Sequence, residues 1–186
     1  MPACLTGDWQ RRIILFFNAL SKPKFRDSLP PSIRRGRAEL PDAQPVSVIL
    51  VDDDPDEHFL FKADLEDAGV DFAFEGFTRP DDALTHLRSL NEVPVLVLCD
   101  LSLAGGDALA FIREAAGSLG GGSIGVYSGA KNPEMEEKCR QAGSTFYIVK
   151  PVSRVKLAEA VAKTGTVRLA ETSDGRVTPV LIGAPG

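Results

Sequence analysis

The sequence predicts an α/β protein built on an open parallel sheet. From Val46 onward, short apolar runs alternate five times with segments of helical character. Several of the runs are apolar at nearly every position. That pattern belongs to strands covered by helices on both faces, whereas a half-exposed sheet alternates.

Taken in order, "VSVILV" (46–51) is the first strand, and a helix is expected near 55–68, where Phe61, Leu65 and Ala68 form a stripe at helical spacing. "DFAFEGF" (71–77) and a helix near 80–90 follow, then "PVLVLC" (94–99) and a helix near 106–117. "SIGVYS" (123–128) leads to a helix near 132–142. Asn132 caps this helix, Pro133 occupies its first position and Gly143 marks its end. "TFYIVK" (145–150) precedes a last helix near 153–163, where Leu157, Val161 and Thr164 begin a stripe. The segment 164–186 either turns back as a hairpin around "SDGR" or stays loose. About twenty residues cannot bury a core of their own, so no output domain is expected there.

The 186 residues are 44% hydrophobic and 25% charged, ordinary values for a globular chain. Charge is unevenly spread. Residues 1–45 carry eight Lys/Arg against four Asp/Glu, a balance of +4, and the remainder carries 13 against 22, a balance of −9. Residues 1–45 read as a separate basic, Pro-rich arm, disordered or partly helical. The acidic body argues against duplex nucleic acid, whose binding depends on neutralising phosphates. The run "IILFFNAL" falls far short of a membrane span. Cys4, Cys99 and Cys139 show neither zinc nor disulfide spacing, which points to a reducing cytoplasm.

In an open α/β sheet, ligands bind outside the carboxyl ends of the strands. Strand one ends at Asp52, Asp53 and Asp54, strand three at Asp100, strand four at Ser128 and strand five at Lys150 and Pro151. Asp54 has a structural role, as the cap of a helix that opens with Pro55 and carries Glu57 in the capping-box position. Asp52 and Asp53 have no such role. Two carboxylates ~4 Å apart repel by about 4 kcal/mol at an effective dielectric near 20. A cation relieves that repulsion, and hard oxygen donors in an open cleft suit Mg²⁺.

The motifs "VDDDP", "LCDLSLAGGDAL", "YSGA" and "YIVKPV", in that order, resemble the receiver domain of two-component response regulators over residues 46–163. The resemblance implies a flavodoxin-like (βα)5 doubly wound sheet of strand order 2-1-3-4-5. It implies that Asp100 accepts a phosphoryl group from a histidine kinase or a histidine phosphotransfer protein. Asp52, Asp53, Asp100 and the backbone carbonyl of Ser102 would hold Mg²⁺. Ser128 and Lys150 would meet the phosphoryl group, and Ser128 and Tyr147 would form the switch that a downstream protein reads, unless the phosphoryl group is passed onward; a phosphorylation-dependent dimer is a further outcome. The product is a signalling switch and not an enzyme. Ala104 and Ala108 stand where the family often has proline and glycine, so a looser loop is expected after strand three.

Other readings are weaker. His58 and His86 lack metal-spaced partners, and "GSLGGGS" (117–123) lacks the lysine and hydroxyl of a phosphate loop. A haloacid-dehalogenase-like phosphatase would need a further acidic pair after its lysine, and "KPVSRVKLAEAV" supplies only Glu159. In a flavin-binding module the acids at the binding edge would repel the flavin phosphate.

Overall fold

The computed structural model describes residues 45–90, 94–104, 106–119 and 121–182, and residues 1–44 of the basic arm, with Cys4, lie outside them. Five strands and five helices alternate as β1 (Ser47–Val51), α1 (Pro55–Asp67), β2 (Phe74–Phe77), α2 (Pro80–Ser89), β3 (Val95–Cys99), α3 (Ala108–Ala116), β4 (Ser123–Ser128), α4 (Pro133–Gln141), β5 (Phe146–Val149) and α5 (Arg154–Thr164). A hairpin of β6 (Val167–Glu171) and β7 (Val177–Leu181) follows. The main sheet has the order β2-β1-β3-β4-β5 with every pairing parallel.

The unbroken apolar strands feed two core layers, because successive side chains leave opposite faces of a strand. Ile49, Val51, Val97, Cys99 and Val126 pack with Leu84, Leu87, Phe111, Ile112 and Cys139 of α2, α3 and α4. Val48, Leu50, Leu98, Tyr127 and Ile148 pack with Phe61 and Leu65 of α1 and with Leu157 and Val161 of α5. Phe61 stacks on Phe74 and meets Tyr127 edge-on, an aromatic centre for this second layer. Gly125 makes room for Phe146 on the neighbouring strand; a Cβ there would overlap the ring.

Helix starts follow local chemistry. Asp54, Asp107, Asn132 and Ser153 each cap a helix by accepting backbone N–H bonds, and proline opens α1, α2 and α4. Gly143, after α4, adopts φ 111°, a conformation that favours glycine.

β2 is shorter than expected, and the C-terminal segment takes the hairpin alternative. β2 is confined to Phe74–Phe77, because the backbone of Gly69–Asp71 is engaged by β7. Val177 N–H donates to Gly69 C=O at 2.9 Å, and Asp71 N–H donates to Val177 C=O at 2.7 Å. Val46 N–H donates to Pro179 C=O at 2.9 Å. Pro179 is paired with Leu169, with its nitrogen on the outer edge of β7, so the missing N–H breaks no bond within the hairpin. The turn closes through Thr172 N–H to Arg176 C=O (2.9 Å), with Gly175 at φ 82°. Val167 and Val177 join the second core layer, and Ala170 and Val180 are also buried. The tail is thus a hairpin bonded to the starts of β1 and β2.

Candidate functional site

The strand registers determine where the site forms. Val51 pairs with Phe77 and Cys99, Cys99 with Val126, and Ser128 with Val149. The carboxyl ends of β1, β3, β4 and β5 are therefore level, and the next residues of β1, β3 and β5 are Asp52, Asp100 and Lys150.

Lys150 sits at the centre. Its Nζ lies 2.7 Å from Asp52 Oδ2, 3.2 Å from Asp100 Oδ1 and 3.2 Å from Glu57 Oε2. It stands 5.1 Å above the Tyr127 ring. Partial burial by itself lowers the Lys150 pKa. The Asp52 hydrogen bond and the charges of Asp100, Asp52 and Glu57 outweigh it and hold the ammonium well above its usual range. The Lys150 backbone N–H donates to Ser128 C=O at 2.9 Å, and the Lys150–Pro151 bond is cis.

The two buried acids use their second oxygens locally. Asp52 Oδ1 accepts from Asp54 N–H at 3.1 Å, and Asp100 Oδ2 accepts from Ser102 N–H at 2.5 Å. His58 Nε2–H donates to the Asp52 carbonyl at 2.8 Å, and its ring fills the space above Gly76, where a Cβ would overlap it. Asp53 is half-buried beside them. Asp52, Asp53, Glu57 and Asp100 set four carboxylates against one ammonium at this edge.

Glu57 is the member of this cluster that sequence reasoning missed. In a capping box it would reach back to the N–H of Asp54, but Asp52 takes that N–H and Glu57 points to Lys150. A buried ammonium is the stronger partner for a carboxylate than one exposed amide.

Among the described residues, no three His, Cys, Asp or Glu side chains form a ligand cluster. The Lys150 ammonium bridges Asp52 and Asp100, two of the three acids expected to hold a metal. By donor chemistry the edge suits a hard divalent cation, since all its side-chain donors are carboxylate oxygens and their charge exceeds that of Lys150.

Ser128 ends β4 half-buried. The Tyr147 hydroxyl donates to Ala130 C=O at 2.7 Å, which ties β5 to the loop between β4 and α4. Cys99 is buried next to Asp100. Burial first, and then the Asp100 charge, push its thiol far above the range of a reactive thiolate. In the loop after β3, Leu103 is buried and accepts a bond from Gly106 N–H at 3.3 Å. His86 Nε2 lies 3.3 Å from Glu75 Oε1 between α2 and β2, with its ring tilted on Phe77. The glycine-rich stretch before β4 closes a turn through Gly122 N–H to Leu119 C=O at 2.7 Å, at the amino ends of the strands.

This topology, with acids after β1 and β3 and a lysine after β5, defines a receiver. The family model "Response regulator receiver domain" matches residues 48–162, and the chain belongs to that family. A response regulator from Thermotoga maritima is 26% identical; the match covers 64% of this chain and 97% of that one, with a TM-score of 0.53. A CheY-like receiver domain protein from Methanospirillum hungatei is 23% identical over 64% of this chain and 93% of its own, with a TM-score of 0.52. A response regulator from Burkholderia pseudomallei, described with a phosphorylated aspartic acid and a calcium ion, is 19% identical over 62% of this chain and 65% of its own (TM-score 0.54). None of the curated proteins matches. The β6–β7 hairpin lies past the end of the family match. Among the described residues, no helix is long and apolar enough to cross a membrane.

Proposed function

We propose that Asp100 is the phosphoacceptor of a signalling switch, with Asp52 and Asp53 as the acids that recruit Mg²⁺. The observation that carries this reading is the Lys150 ammonium shared by Asp52 and Asp100 across three strands. An Asp100 carboxylate oxygen attacks the phosphorus of the donor. The bond to the donor group breaks, and that group leaves with the electron pair. The resulting acyl phosphate hydrolyses in water and resets the switch. Lys150 is placed to pair with the added phosphoryl oxygens, since positioning and charge neutralisation dominate this chemistry. Asp52, Asp53, Asp100 and the Ser102 carbonyl would hold Mg²⁺, which would supply further neutralisation. The phosphorylated aspartate and calcium ion of the Burkholderia protein support both assignments.

The donor is a histidine kinase or histidine phosphotransfer protein in the cytoplasm. The readout is a contact with a downstream protein, made through Ser128 and Tyr147. A second copy of the chain is a further partner, as in the receiver domain dimer formed by a beryllofluoride-activated relative. The family match does not favour a phosphatase or a flavin-binding reading. The test is intact mass after incubation with Mg²⁺ and acetyl phosphate. Wild type gains about 80 Da, one phosphoryl group, and Asp100→Asn gains nothing. A gain that persists in Asp100→Asn would place the acceptor elsewhere.

A further inference from the structure

Lys156 stands where helix chemistry disfavours a cation. Ser153 caps α5 by accepting from Lys156 N–H at 3.3 Å, so Lys156 occupies the third helical position. A capping box puts Glu or Gln there, and the positive end of the helix dipole repels an ammonium. The first turn of α5 contains no acid to offset it.

Its contacts give a reason. Lys156 Nζ donates to Val149 C=O at 2.8 Å and to Pro151 C=O at 2.8 Å. These carbonyls flank Lys150, whose own N–H is held by Ser128 C=O at 2.9 Å. Among the described residues β5 is an edge strand, with no further strand of the main sheet on the side away from β4. Bonds from an ammonium to carbonyls are charge-assisted and among the stronger ones available. The backbone on both sides of Lys150 is therefore pinned to α5, and the Lys150 ammonium reaches Asp52, Asp100 and Glu57 from a fixed root.

We propose that Lys156 is a positioning residue for Lys150, setting where the Lys150 ammonium stands by bridging the carbonyls of Val149 and Pro151. This rests on the reading of Asp100 as phosphoacceptor. The test is a double-mutant cycle in the full chain with Lys156→Met, which keeps the stem and removes the donors, and Lys150→Ala. The rate of mass gain from acetyl phosphate in Mg²⁺ should fall about tenfold or more in Lys156→Met, as expected when a reacting group is misplaced. Lys156→Arg, which keeps the charge and offers several N–H donors, should recover most of the rate. In the Lys150→Ala background, Lys156→Met should change nothing further. An unchanged rate in Lys156→Met, or the same slowing in both backgrounds, overturns the proposal.

The same cycle is read independently by urea unfolding in metal-free buffer. There the two changes should couple by about tenfold in the folding equilibrium constant, and strict additivity refutes the proposal. If Lys156→Met does not fold, Lys156→Gln, which is shorter and uncharged, takes its place in both cycles. If wild type gains no phosphoryl group, the reading of Asp100 fails, and the unfolding cycle still decides the role of Lys156.

Discussion

Replacing Lys150 by Met tests the electrostatics of the site without any phosphodonor. The side chains involved are mostly buried, with exposures of 18% for Lys150, 3% for Asp52, 8% for Asp100 and 29% for Glu57. At contacts of 2.7, 3.2 and 3.2 Å, the gross attraction is about 5–6 kcal/mol each at an effective dielectric near 20. Desolvation offsets most of this. The net cost of leaving buried partners unpaired is about 3–5 kcal/mol. Lys62 and Glu66, 3.7 Å apart with both side chains about half exposed, provide the control. Lys62→Met should cost under about 1 kcal/mol, as exposed pairs do. Urea unfolding of both variants, in chelator and in Mg²⁺, measures the difference. Mg²⁺ should restore part of the loss in Lys150→Met, because it neutralises the same carboxylates. A loss below about 1 kcal/mol in chelator, or one that Mg²⁺ leaves unchanged, would refute the view that Lys150 compensates a buried acidic cluster.

Deleting residues 166–182 removes the buried Val167, Ala170, Val177 and Val180 and leaves the N–H groups of Val46 and Asp71 without their acceptors. The expected loss is on the order of 2–4 kcal/mol, seen as a lower urea midpoint, and an unchanged midpoint would show that the hairpin is ornamental. Gly125→Ala should destabilise by about 1–3 kcal/mol through overlap with the Phe146 ring. Gly129→Ala, with open space around its added methyl, should stay within about 0.5 kcal/mol, and thermal melts of the two variants compare them directly.

The alternation of strands and helices was legible in the sequence because it rests on local rules. Apolar runs, the caps at Asp54 and Asn132 and the prolines behind them act within a few residues of one another. The meeting of Asp52, Asp100 and Lys150 was legible too, because parallel strands put their carboxyl ends at one edge whatever their loops do. The tertiary structure decided what depends on partners distant in the chain. Glu57 chose between a neighbouring amide and the ammonium of Lys150, and only the packing of β5 brought that ammonium within reach. The segment around "SDGR" was ambiguous because an isolated hairpin is marginal in water. Its order comes from backbone bonds to Val46, Gly69 and Asp71, the same bonds that shortened β2. A lysine in the first turn of α5 is unfavourable by local rules, and its two carbonyl partners exist only once the chain has turned from β5 into that helix.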